Sequence, residues 1–173
     1  MTVSTQLRDE TIRAANYTVT DVYRSVPTPI VAVAAHADGA EHAMIVSSFT
    51  AISDDPALVS VSIKHGSTTW PRLRTASEVG ISVLTTDHND LLARAWKNQS
   101  HERLAGYPCA SEGSAIHLAD SPTRLTCDIA DELPVGDHTL VILAVCSIHH
   151  DPRLGLPIVH HNRTVTELLG RAE

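Results

Sequence analysis

The feature that most constrains this chain is a succession of short β-like runs with no regular helix between them. Residues 30–35 (IVAVAA) form a continuous apolar run rich in β-branched side chains. Residues 58–63 (LVSVSI) alternate apolar and small polar side chains, as a half-buried strand does. Residues 43–48, 79–84, 124–129, 139–148 and 156–161 read as further strands, and His36-Ala37-Asp38-Gly39 as a turn between the first two. Helical signals are few. Residues 4–15 suit a short helix outside the core. Residues 70–76 follow Thr69 as an N-cap and carry Pro71 in the first turn. Residues 87–99 place Leu91, Leu92, Ala95 and Trp96 at helical spacing behind Asp87, and residues 163–169 suit a last helix. Trp70 and Trp96 read as packing residues. This order disfavours a βαβ plan and predicts a mainly β fold, a closed antiparallel Greek-key barrel with a few peripheral helices.

At 173 residues the chain suits one domain, 1–173, with its core in about 20–168 and an N-terminal extension at 1–19. Aromatics make up only 3%, so the core must come from Val, Ile, Leu and Ala. A net charge of −7 argues against nucleic acid and anionic membranes as partners. No apolar run approaches a membrane span, no secretion signal is visible, and three unpaired cysteines suggest reduced thiols; a soluble cytoplasmic protein is expected. No GxGxxG and no GxxxxGK[ST] occur, so a nucleotide-like ligand needs another device. The adjacent pairs His149-His150 and His160-His161 point to opposite strand faces, and no metal site is expected.

Three segments carry groups suited to chemistry. Ser47-Ser48-Phe49-Thr50-Ala51-Ile52-Ser53 crowds four hydroxyls after an apolar strand. They suit the polar edge of a flat heterocycle, or simply cap a barrel end. Lys64-His65-Gly66-Ser67-Thr68-Thr69 runs from a strand end to a helix start. This reads as a phosphate seat or as plain helix capping. Gly136-Asp137-His138 reads first as an ordinary turn, although Asp137 could fix the His138 tautomer.

The order of these segments resembles the flavin reductase family of FMN-binding split barrels. The carrying residues are 26–33 (VPTPIVAV), 44–56 (MIVSSFTAISDDP), 67–74 (STTWPRLR), 79–84, Arg103-Leu104-Ala105-Gly106, Gly136-Asp137-His138-Thr139 and 157–161. The chain differs from that pattern at Ala43 (usually Gly), Ala57 (Pro), His88 (Gln) and Leu104 (Phe). The resemblance implies NAD(P)H-dependent reduction of FMN or FAD, with NADH or NADPH as donor and a monooxygenase receiving the reduced flavin. It also implies a homodimer with flavin near the subunit interface. Thr28, Met44, Ser47, Ser48, Phe49, Thr50, Ala51 and Ser53 would line the flavin, and Lys64, Ser67, Thr68 and Thr69 would hold its phosphate. His138, positioned by Gly136 and Asp137, would seat the nicotinamide.

Overall fold

The computed structural model describes residues 18–168. In chain order the first half runs α1 (Val19–Arg24), β1 (Thr28–Pro29), β2 (Val31–Ala37), β3 (Ala40–Val46), β4 (Thr50–Asp54), β5 (Ala57–Lys64), α2 (Trp70–Leu73) and β6 (Glu78–Val83). The second half runs α3 (Asn89–Lys97), β7 (Cys109–Glu112), β8 (Ala115–Leu118), β9 (Thr123–Val135), β10 (His138–His150), β11 (Ile158–His161) and β12 (Thr164–Glu167).

All strand pairs are antiparallel. A nine-stranded sheet runs β4-β5-β10-β9-β6-β2-β8-β7, with β3 paired to β2; β1, β11 and β12 form a separate three-stranded sheet. The apolar run of β2 is explained by its burial on both faces. Val31, Val33 and Ala35 join Val61, Ile81, Leu143 and Cys127 in one cluster. Ala32 and Ala34 join Leu84, Leu91, Ile116 and Ile158 in a second. Fully burying a side chain such as Ile81 or Leu143 is worth about 1.5–3 kcal/mol, so these two clusters dominate stability. Gly80 on β6 lets β8 cross closely, since a Cβ there would lie 2.2 Å from the Ile116 carbonyl oxygen.

Hairpin β9–β10 carries 13 residues in each arm. Its two-residue loop is Gly136-Asp137, with Gly136 at φ 60°, the conformation a first loop position of type II′ requires. Ser48 Oγ donates to the Ser62 carbonyl and accepts from the Ser62 N–H, both at 2.9 Å, tying the β3–β4 link to β5. On α2, Trp70 Nε1 donates to Glu132 Oε1 at 2.5 Å and Arg74 pairs with the same carboxylate, which pins the helix to β9.

Several expectations change. The helix expected over 163–169 is strand β12 through residue 167, because Thr164-Val165-Thr166 pair with β11. The helix after Thr69 is a single turn, and Thr69 makes no capping bond; Ser67 Oγ accepts from the Trp70 N–H instead. Asp87 does not cap α3. The chain enters through a 3-10 turn, Thr86–His88, where buried His88 accepts from the Thr85 N–H and lies 3.0 Å from Asp120. Strands β7 and β8 were not foreseen. The expected helix over 4–15 lies outside the described residues.

Candidate active site

Two adjoining hollows lie where β3, α3 and the loop before α2 meet. One, of about 250 Å³, is lined by Met44, Ile45, Gly66, Ser67, Thr68, Thr69, Ala95, Trp96 and Arg103. The other, of about 450 Å³, shares Ile45, Ala95 and Trp96 and extends to Ile30, Val46, Ser47, Leu92, His160 and Arg163. Together they make a groove with a polar end and an apolar end.

The polar end is built around Arg103. Its Nη1 donates to the Ala43 carbonyl at 2.7 Å and to Thr69 Oγ1 at 3.2 Å, while its Nε is buried with no acceptor among the described residues. Burial pushes its pKa down, yet a guanidinium stays cationic. Arg103 lines the hollow beside the Ser67, Thr68 and Thr69 hydroxyls, so an anion seated there would meet a cation and hydroxyl donors together. The phosphate group expected there therefore fits the residues present. Arg103 lines this hollow, and Lys64 lies exposed at the end of β5. With only one turn in α2, the helix terminus adds little field.

The apolar end is framed by Ile30, Ile45, Val46, Leu92 and Ala95, with Ser47 and His160 as its polar edge. Thr28 sits on β1 opposite His160 in the ladder. Trp96, expected to pack, is 91% exposed and borders both hollows.

Of the residues predicted for the site, Met44, Ser47, Ser67, Thr68 and Thr69 line the groove. Thr28, Ser48, Phe49, Thr50, Ala51, Ser53, Lys64, Gly136, Asp137 and His138 do not line it within one chain. Ser48 is occupied by its clasp on Ser62, and Phe49 packs on the core. Thr50 and Ala51 are exposed on β4. His138 pairs across the ladder with Lys64 and Val135, and its Nδ1 lies 2.7 Å from Asp137 Oδ1. That hydrogen bond holds the Asp137 carboxyl below the usual carboxylate range. Sequence reading missed Arg103, Trp96 and His160 as groove residues. The one signal for Arg103 was its turn, Arg103-Leu104-Ala105-Gly106, to which no role was attached.

An antiparallel β fold carrying a groove with a half-buried guanidinium and hydroxyls at one end and an apolar wall at the other suits a ligand with an anionic group and an apolar body. The comparisons with known proteins agree. The family described as "Flavin reductase like domain" matches residues 23–169, and the chain belongs to it. It is 31% identical over 149 residues to the NADH-dependent FMN reductase AsuE2 of Streptomyces nodosus subsp. asukaensis, covering 83% of this chain and 80% of that protein. It is 28% identical over 153 residues to the actinorhodin polyketide dimerase of Streptomyces coelicolor, covering 88% and 86%. Among solved structures, the NADH:FAD oxidoreductase SgcE6 of Streptomyces globisporus, in complex with NAD and FAD fragments, superposes with TM-score 0.78 at 21% identity, covering 89% and 93%. BorF, the flavin reductase component of a bacterial two-component tryptophan halogenase, gives 0.78 at 22%, covering 88% and 97%.

Proposed function

We propose that the chain reduces FMN or FAD with a nicotinamide donor and releases the reduced flavin to a separate monooxygenase. The observation that carries this reading is the continuous groove from Arg103 and Ser67–Thr69 to Ser47 and His160. When bound, the flavin supplies the redox chemistry, accepting a hydride at N5 from the reduced nicotinamide. The chain's own work is binding and alignment. Arg103, Ser67, Thr68 and Thr69 anchor the phosphate. Ile45, Leu92 and Ala95 give the ring an apolar floor, and Ser47 meets its polar edge. The indole of Trp96 stands beside both compartments and covers the ligand against water. No side chain needs to move a proton in this step, so rate depends on holding two rings at a reacting distance of about 3–3.5 Å.

The working unit in this reading is a homodimer. Leu133 and Val135 share one face of β9 and are 43% and 56% exposed, and Val135 pairs with His138 on the neighbouring strand. A second copy packed there would bury this apolar patch and bring His138 toward a bound nicotinamide. In this reading the sheet acts as a split barrel, with the β3–β4 link held to β5 by the Ser48 clasp.

Anaerobic mixing with NADH and FMN tests the activity: the flavin's visible absorbance should bleach with multiple turnovers. Tight flavin binding without bleaching would leave a carrier and refute the reductase. For His138→Ala, the KM for NADH should rise more than the Kd for flavin; the reverse pattern would remove His138 from the donor site.

A further inference from the structure

A third hollow, of about 520 Å³, lies between α1 and the β11–β12 turn, lined by Asp21, Val22, Arg24, Ser25, Asn162 and Arg163. We propose that it seats the diphosphate of the nicotinamide donor, gripped by Arg24 and Arg163; this rests on the reductase reading above.

Three observations carry the proposal. The first is continuity. Arg163 lines both this hollow and the apolar end of the flavin groove, so a ligand with its ring in the groove can extend past Arg163 into the third hollow.

The second is charge. In a chain of net charge −7, two guanidinium groups face one hollow. Among the described residues Asp21 is the one acidic residue that lines the hollow, and it does not saturate the two guanidinium groups. Its Oδ2 accepts from the Thr18 N–H and hydroxyl at 3.1 and 2.6 Å, closing the cap of α1. Its Oδ1 stays 3.8 Å from Arg24 and 3.6 Å from Arg163, beyond hydrogen-bond length. Among the described residues Arg24 and Arg163 have no closer side-chain acceptor than this carboxylate, and a diphosphate offers each a bidentate acceptor.

The third is the turn itself. Asn162 and Arg163 both hold positive φ, 49° and 65°, as the two central residues of the β11–β12 hairpin. A turn of this kind favours Asn followed by Gly. Here a long cationic side chain occupies the position where glycine is least strained, a cost that local folding does not explain. The turn is also fastened to α1, since the Asn162 N–H donates to the Arg24 carbonyl at 2.7 Å. Both arginines therefore sit on one fixed frame.

The test uses the full chain with Arg163→Gly and Arg24→Gln. Glycine relieves the turn, so Arg163→Gly should melt no lower than wild type, which separates a binding role from a structural one. With saturating FMN, the KM for NADH should rise about tenfold in each variant, as expected for loss of one charge-assisted contact. For Arg24→Gln, which lies outside the flavin groove, the kcat and the FMN Kd should hold. Reduced nicotinamide riboside, which carries no phosphate, should keep its KM. Calorimetric titration with ADP reads the hollow without turnover: binding to wild type is expected, and its loss in both variants. Failure to reduce flavin while the ADP pattern holds would sink the reductase reading alone. ADP that fails to bind, or binds wild type and variants alike, would overturn the diphosphate seat. So would a rise in KM confined to NADPH, which would mark a 2′-phosphate site instead.

Discussion

Replacing Arg103 by Ala should weaken FMN binding while leaving riboflavin binding almost untouched. Arg103 bonds Ala43 and Thr69 through one terminal nitrogen and lines the hollow with Ser67–Thr69, so its guanidinium is the cation a phosphate there would meet. A hydrogen bond to a charged partner contributes about 1.5–3 kcal/mol. At about 1.4 kcal/mol per decade, the FMN Kd should rise roughly 10- to 100-fold. Riboflavin carries the same ring and ribityl chain without the phosphate, so the difference between the two ligands isolates the Arg103 contact from any looseness in the groove. The assay is a titration of each flavin into wild type and variant, followed by quenching of flavin fluorescence, with a melting curve to confirm folding. Equal weakening of FMN and riboflavin would refute the phosphate seat, because Arg103 would then only support the β3 wall through Ala43.

Trp96→Ala should leave the melting temperature within about 1 °C, since the indole is 91% exposed, yet lower flavin affinity; unchanged affinity would show that it does not cover the ligand. Gly80→Ala should cost about 1–3 kcal/mol through the clash with the Ile116 backbone, read as a melting shift of roughly 2–4 °C per kcal/mol; an unshifted melt would mean β8 is not held against β6. Burial first, and Arg124 second, push the His117 pKa down. The unfolded chain therefore binds a proton that the folded chain refuses, and stability falls as pH drops below about 6.5, by at most about 1.4 kcal/mol per pH unit from this group. In urea unfolding at a series of pH values, His117→Gln should flatten that decline; parallel curves would remove His117 as the cause.

Much of the scaffold was legible in the chain because its signals are local. Continuous apolar burial gave β2, alternation gave β5, and Gly136-Asp137 set the joint of the β9–β10 hairpin. The pair β7–β8 was missed although Gly113-Ser114 sits between its arms, a short-loop signal hidden by the polar residues around it. The hydroxyls of Ser47 and Ser67–Thr69 were visible as groups suited to a phosphorylated ring, and they do line the groove.

What tertiary structure decided was which side chains meet. On α3, Leu91 points inward, and Trp96, five residues on, lies about 140° around the helix, which turns the indole out over the groove. Arg103 meets Thr69 and Ala43 across separations of 34 and 60 residues. Residues 163–169 carried both helical and β-branched character, and pairing with β11 made a strand of Thr164–Glu167. Periodicity and turn chemistry act over a few residues and are written in the sequence. A binding groove arises from long-range packing of β3, α3 and the loop before α2, and no local pattern encodes that encounter.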